Sequence, residues 1–234
     1  MRVAAIMNTI DRYGITPMCT EENIERAGVE FDLYITDNGS TDRRIVDWGR
    51  EVAHKHTANE TNMGNAYALN RMLFDVIHYD YIVKIDNDML MPEKWLTDAI
   101  NSLKHDVGMI GWKLEGQKVG HRFEKYGIPF ETDDTNVVIG STVVRGDVAR
   151  SVGYFNEWSN YGHWDAAYCR RLQKYADAFY LQDRCHHIGT KQSGDPAYEH
   201  MKQQEAKKAF EKAREWHHLY GDKKVFLTLE QKVV

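Results

Sequence analysis

The sequence predicts an α/β domain whose strands are joined by helices, and three observations carry that prediction. Across the first two thirds of the chain, short apolar runs alternate with longer amphipathic stretches, the pattern of a sheet built through helical crossovers. Proline and glycine fall where those stretches begin and end. A length of 234 residues suits one such domain with a sizeable core, and is too short for two catalytic domains and a linker.

The elements follow in order. Val3 to Met7 is the first apolar run and reads as a strand. Thr16-Pro17 reads as an N-cap followed by proline at the first helical position, and Gly28 as a stop, so 17–27 is predicted helical. Phe31 to Thr36 is the second strand, 42–52 a helix, and 54–57 a short third strand. Ala66, Leu69, Leu73 and Ile77 share helical spacing and predict a helix over 64–77. Tyr81 to Ile85 is a strand running straight into Asp86; Pro92 opens a helix to Leu103, and Val107 to Trp112 is the next strand. Periodicity is lost over 113–136, where Gly116, Gly120 and Gly127 predict a loop excursion or small hairpin. Strands are predicted over 137–140 and 142–144, helices over 147–152 and 165–175, a strand over 178–181 and a charged helix from Tyr198 to about Leu219. Residues 1–195 are read as the domain and 196–234 as a helical C-terminal extension packed on it.

Composition narrows the classes. With 42% hydrophobic and 28% charged residues the chain is an ordinary globular one, and a net charge of −5 gives no global attraction to nucleic acid or an anionic membrane. The three cysteines have no Cys-x-x-Cys spacing and, being odd in number, cannot all pair within the chain, which predicts a reduced, cytoplasmic setting. No apolar run approaches the roughly 20 residues of a membrane span, and the start is too short for a signal sequence.

Four groups of residues carry chemistry. Asp86 and Asp88 follow a strand two residues apart, so in extended geometry both carboxylates point to one side. Ligands of open α/β sheets bind outside the carboxyl ends of strands, and two carboxylates there suit Mg²⁺ or Mn²⁺ together with phosphate oxygens. Asp-Asn-Asp equally suits a turn bonded to its own backbone. Asp37-Asn38-Gly39-Ser40-Thr41-Asp42 also follows a strand; Asp37 can accept from the N–H of a uracil-like base, while Asn-Gly with Ser40 or Thr41 also reads as a capped strand-to-helix turn. Asn62-Met63-Gly64 opens a helix whose free N–H groups favour phosphate, with Asn62 as a plain N-cap the alternative. Gly153-Tyr154-Phe155-Asn156-Glu157 precedes Gly162-His163-Trp164-Asp165, where Asp165 is either a helix cap or a general base.

Taken in order, Asn8-Thr9, Asp37 to Asp42, Asn62-x-Gly64 with Asn70, Asp86-x-Asp88, and Gly153 to Glu157 leading to Asp165 and Arg170-Arg171 resemble glycosyltransferase family 2 over roughly residues 2–180. The resemblance implies the GT-A fold: a Rossmann-like, mixed and mostly parallel sheet flanked by helices in a single domain. It implies a metal-dependent, inverting transfer from a nucleotide-diphosphate sugar, a UDP-sugar first among them, to an acceptor hydroxyl. In that scheme Thr9 and Asp37 serve the base pocket, Asp86 the ribose and metal, Asp88 the metal, and Asp165 is the general base. The family's glutamate-aspartate pair reads Trp164-Asp165 here, which bears on the acceptor; Trp164 is either a sugar-stacking ring or packing. His186 and His187 are alternative late metal ligands, with His187 favoured, and Lys191 is placed to meet phosphate.

The acceptor choices run from a growing glycan or lipid-linked sugar to a protein side chain or modified nucleic-acid base, and a stand-alone enzyme of this size suits a bacterium or a bacteriophage-infected host. Nothing in the sequence specifies an oligomeric state. A sugar nucleotidyltransferase is the rival reading, but the first loop, Asn8 to Gly14, lacks the glycine-rich basic character that holds a triphosphate. A non-catalytic binding module is the third, and the intact Asp86, Asp88 and Asp165 argue against it.

Overall fold

In the computed structural model, residues 1–133, 138–157 and 164–188 are described. The predicted extension beyond 195, the loop carrying Lys191, and His163 lie outside them. The chain order is β1 (Val3–Thr9), α1 (Thr16–Arg26), β2 (Asp32–Asp37), α2 (Arg43–Val52), β3 (Lys55–Ala58), α3 (Asn65–Val76), β4 (Tyr81–Lys84), β5 (Met89–Leu90), α4 (Trp95–Ser102), β6 (Val107–Leu114), β7 (His121–Lys125), β8 (Ile128–Thr132), β9 (Thr142–Arg145), α5 (Gly146–Val152), α6 (Trp164–Leu172) and β10 (Asp177–His187).

The sheet runs β3-β2-β1-β4-β9-β6-β10-β8-β7, with β5 paired to β10 off that path. β1, β2, β3 and β4 are mutually parallel. β9 lies antiparallel to both β4 and β6, so β6 and the parallel β10 share the direction of the first four strands. Six strands thus deliver their carboxyl ends to one edge.

The period-2 geometry of β1 explains the two half-cores. Ala4 and Ile6 face one side with Leu69, Met72, Leu73, Trp164 and Tyr168 of α3 and α6. Val3, Ala5 and Met7 face the other with Ile45, Val46, Trp95 and Leu96 of α2 and α4. Because both faces of the central strand are covered, its sequence is continuously apolar rather than alternating.

Several boundaries differ from expectation for local reasons. Ile15, not Thr16, is the cap position of α1, and it makes no side-chain cap. α4 begins at Trp95 because Lys94 adopts a left-handed φ of 57°. The glycine-rich excursion is a hairpin, β7 and β8, closed by Tyr126 and Gly127 at φ 58° and 73°, the two positive values of a type I′ turn. Val138 and Ile139 are not strand: their N–H groups donate to Cys169 Sγ at 3.2 Å and Tyr180 OH at 3.2 Å instead of to a ladder. α6 stops at Leu172, and β10 runs on to His187 through the polar Gln182-Asp183-Arg184, with a register shift between Leu181 and Arg184. Cys19, Cys169 and Cys185 are all buried thiols. No described helix is long and apolar enough to cross a membrane.

Candidate active site at the carboxyl edge of the sheet

Thr9 and Asp37 are register partners at the ends of β1 and β2, and Asn38 N–H donates to Thr9 O at 2.7 Å. Thr9 is buried, and Asp37 is only 2% exposed. The Asp37 carboxylate accepts from Ser40 N–H at 3.1 Å and from the Ser40 hydroxyl, so it shapes its own turn. Gly39 sits at φ 86°, and a Cβ there would meet the Thr61 backbone at 2.5 Å, which only glycine avoids. The cap of α2 is Asp42, which accepts from Arg44 N–H at 3.0 Å, rather than Ser40 or Thr41.

The next loop is held by amides. Asn38 Oδ1 accepts from Asn59 Nδ2 at 2.9 Å and Met63 N–H at 3.0 Å, while Asn38 Nδ2 donates to Asn62 Oδ1 at 2.9 Å. Asn62 Oδ1 also accepts from Gly64 N–H at 3.0 Å, and Asn8 Nδ2 donates to Asn65 Oδ1 at 3.0 Å. Asn62 is therefore a loop brace, and the cap position of α3 is Gly64, with no side-chain cap. The positive end of the α3 dipole lies at this loop.

Beyond β4, Asp86 and Asp88 have different partners. Asp86 accepts from Lys84 Nζ, which also donates to Gly140 O at 3.0 Å and lies 5.2 Å from the Trp164 ring centroid. Asp86 N–H donates to Ser141 Oγ at 3.0 Å. Asp88 is 7% exposed, and its Oδ2 meets both the Arg12 guanidinium and, at 3.0 Å, His187 Nε2. Burial pushes the Asp88 carboxyl up, but hydrogen bonds and charge from His187 and Arg12 outweigh it and hold the group below the usual carboxylate range.

His187 reaches Asp88 because β5 pairs with β10, setting His187 opposite Met89 and His186 opposite Leu90, while Ile188 N–H donates to Asp88 O at 2.9 Å. β5 is itself anchored by buried Asn23 of α1, which donates to Met89 O at 2.8 Å and accepts from Met91 N–H at 2.8 Å. His186 turns the other way, onto Glu115 at 2.7 Å.

Among the described residues no three His, Cys, Asp or Glu side chains converge as a full metal cage. Asp88 Oδ2 and His187 Nε2, however, stand 3.0 Å apart, about the edge of an octahedron with bonds of roughly 2.1 Å. An oxygen and an imidazole nitrogen at that spacing fit Mn²⁺ or Mg²⁺ if phosphate and water complete the shell.

Asp165 occupies the first turn of α6, half-buried, accepting from Ala166 N–H at 2.8 Å. The preceding loop is clamped from two sides. Asn70 of α3 donates to Phe155 O at 2.9 Å and Glu157 Oε1 at 2.7 Å and accepts from Phe155 N–H at 2.9 Å. Arg171 donates to Tyr154 O at 2.5 Å and to Asn156 Oδ1. Asn70 and Arg171 thus hold the 154–157 segment against α3 and α6. Trp164 is core, packed edge-on against Phe155 with centroids 5.1 Å apart.

Sequence reasoning did not single out Arg12, Asp11 or Lys84. The signal for Lys84 was present: a charge inside an apolar strand, Tyr81-Ile82-Val83-Lys84-Ile85, requires a buried partner. Arg12 and Asp11 carried no comparable signal.

No protein-family model and no curated protein sequence matches the chain. Solved structures do. S. aureus TarS 1-349 in complex with UDP superimposes with a TM-score of 0.63 at 19% identity over 79% of this chain and 59% of that one. The mannosyltransferase PcManGT from Pyrobaculum calidifontis, in complex with GDP-Man and Mn²⁺, gives 0.66 at 18% over 92% and 64%. GalNAc-T7 with UDP, GalNAc and Mn²⁺ gives 0.64 at 10% over 80% and 44%. The chain spans less than two thirds of each of these three. It has the GT-A glycosyltransferase fold.

Proposed function

We propose that this protein transfers a sugar from a nucleotide-diphosphate sugar to an acceptor hydroxyl with a divalent metal and inversion. The observation that carries the reading is the meeting of Asp88 and His187 at the carboxyl edge of the sheet, along the same edge as Asp37 and the start of α3, which Asn8 of β1 holds through Asn65. The UDP held by TarS and GalNAc-T7 favours a UDP-sugar, and Mn²⁺ in two of the three compared structures favours a metal.

In this reading Asp88 and His187 hold the metal, with Asp86 near the ribose. A Mn²⁺ or Mg²⁺ ion bound there supplies Lewis-acid neutralisation of the departing diphosphate. The turn built by Asp37 with buried Thr9 lines the base pocket. The α3 N-terminus, set by Asn62 and Gly64, faces the phosphates, and Lys191 is assigned to them from sequence alone. Asp165 takes the proton from the attacking hydroxyl; the loop clamped by Asn70 and Arg171 orients it, and positioning the acceptor beside the anomeric carbon supplies further acceleration. Residues 1–195 form the catalytic domain and 196–234 its extension.

The test combines binding and turnover. Wild type is expected to bind UDP with Mn²⁺ and to turn over at least one donor of a sugar-nucleotide panel. Asp165→Asn is expected to keep donor affinity by calorimetry while losing about 10²- to 10⁴-fold in transfer. Donor binding lost in parallel with transfer reassigns Asp165 to donor binding; a folded wild type that neither binds a nucleoside diphosphate nor transfers ends the proposal.

A further inference from the structure

The loop after β1 presents a cation that the transfer scheme above does not use. Arg12 donates from Nη1 to Asp88 Oδ2, the same oxygen that meets His187. The backbone around Arg12 is built to keep it there. Asp11 is left-handed at φ 46°, a conformation that costs energy for a residue with a side chain. Its carboxylate accepts from Thr41 N–H at 2.7 Å and Asp42 N–H at 2.9 Å, and its own N–H donates to Ser40 Oγ at 2.9 Å. On the other flank, Ile15 and Thr16 N–H groups donate to Arg12 O at 3.0 and 2.9 Å, leading into α1. Arg12 is thus fixed between the helix it precedes and the turn beyond β2.

A guanidinium and a divalent cation make the same demand on Asp88 Oδ2, and in a site this buried their mutual repulsion is strong. A nucleoside diphosphate changes the balance, because its phosphate oxygens can neutralise both cations, and guanidinium matches phosphate geometry well. We propose that Arg12 competes with the divalent metal for Asp88 and moves onto the donor diphosphate when metal and nucleotide bind together. The inference rests on the metal-dependent reading above and adds a rule to it: Arg12 makes metal binding conditional on the nucleotide. By linkage, the metal raises nucleotide affinity by the same factor as the nucleotide raises metal affinity.

The experiment is Mn²⁺ titration, by calorimetry and by the electron paramagnetic resonance of free Mn²⁺, on wild type, Arg12→Met, Arg12→Gln and Arg12→Lys, each with and without UDP. Without UDP, Met and Gln at position 12 are expected to tighten Mn²⁺ binding about tenfold and to shrink the enhancement given by UDP by about the same factor. Arg12→Lys, which keeps the charge, is expected to stay near wild type. Equal or weaker Mn²⁺ binding by the neutral variants, or a lysine variant that behaves like them, overturns the role of the Arg12 charge. Circular dichroism melts identify any variant that fails to fold, and either neutral variant suffices for the comparison with lysine. A wild type that binds no Mn²⁺ with or without UDP overturns the metal site itself, an outcome distinct from metal binding that ignores position 12.

Discussion

The two halves of the sheet are held together by different chemistry. At the β1–β2–α3 edge the loops are braced mainly by neutral amides, with Asn38 bonded to Asn59, Asn62 and Met63. At the β6–β8–β10 edge the brace is ionic. Glu131 is fully buried, 2.8 Å from Lys113 Nζ and 2.6 Å from Arg184 Nη2, and it also accepts from Gly120 N–H at 2.7 Å. Burial pushes the Glu131 carboxyl up, but Lys113, Arg184 and the Gly120 N–H bring it down to about 2. An amide brace places loops without placing charge, which suits the anionic donor and metal proposed for this edge. A buried ion cluster pins the hairpin to β6 and β10, and it responds to pH.

The largest effect that separates the halves is expected from Glu131→Gln. It leaves Lys113 and Arg184 without their buried counter-charge and is expected to cost about 3–5 kcal/mol in urea melts at pH 7. The folded pKa lies below the ordinary value of 4.5, so the wild-type contribution is full above about 4.5 and is lost as pH falls toward 2. The deficit of the variant is therefore expected to narrow across that window. A deficit that stays constant down to pH 3 contradicts an ionic brace.

Asn38→Ala is the matching test of the amide half. It strands the partners of Asn38 and is expected to cost about 1–3 kcal/mol. Amides do not titrate, so the same loss is expected at pH 7 and pH 4; a marked pH dependence breaks the contrast between the halves.

The smallest effect sharpens the role of burial. Lys125 Nζ lies 2.8 Å from Asp106 and 2.6 Å from Asp177, ion pairs as short as those of Glu131 but with half-exposed acids. Lys125→Met is expected to change stability by under about 1 kcal/mol, and less in high salt. A cost comparable to that of Glu131→Gln shows that distance rather than burial sets the strength of these pairs.

Legibility in the sequence followed the same division. The parallel half was read almost element for element, because a strand buried on both faces is a continuous apolar run and its helices carry their own spacing and stops. In the ionic half β6, the first residues of β10 and the small hairpin are legible, but the continuation of β10 through Gln182-Asp183-Arg184 to His187 and the two-residue β5 are not, and Glu131 looks like any surface acid until Lys113 and Arg184 are brought to it. Asp37, Asp86, Asp88 and Asp165 were legible as candidates because each falls just after a strand or at a helix start, where local rules apply. Their partners were not.

Local order is therefore what the sequence determined by itself: the succession of strands and helices, the acids at their ends, and the glycine at position 39 that its turn requires. The tertiary structure alone decided which of those groups meet. Asp88 has Arg12 and His187 as partners, 76 and 99 residues away along the chain, only because parallel β1 and β4 and the short β5–β10 pairing bring three loops to one edge. Asp86, two residues from Asp88, is given to Lys84 instead. Local propensities act over a few residues, whereas a side chain's charge partner is set by sheet register, to which hydrophobic burial over the whole domain contributes.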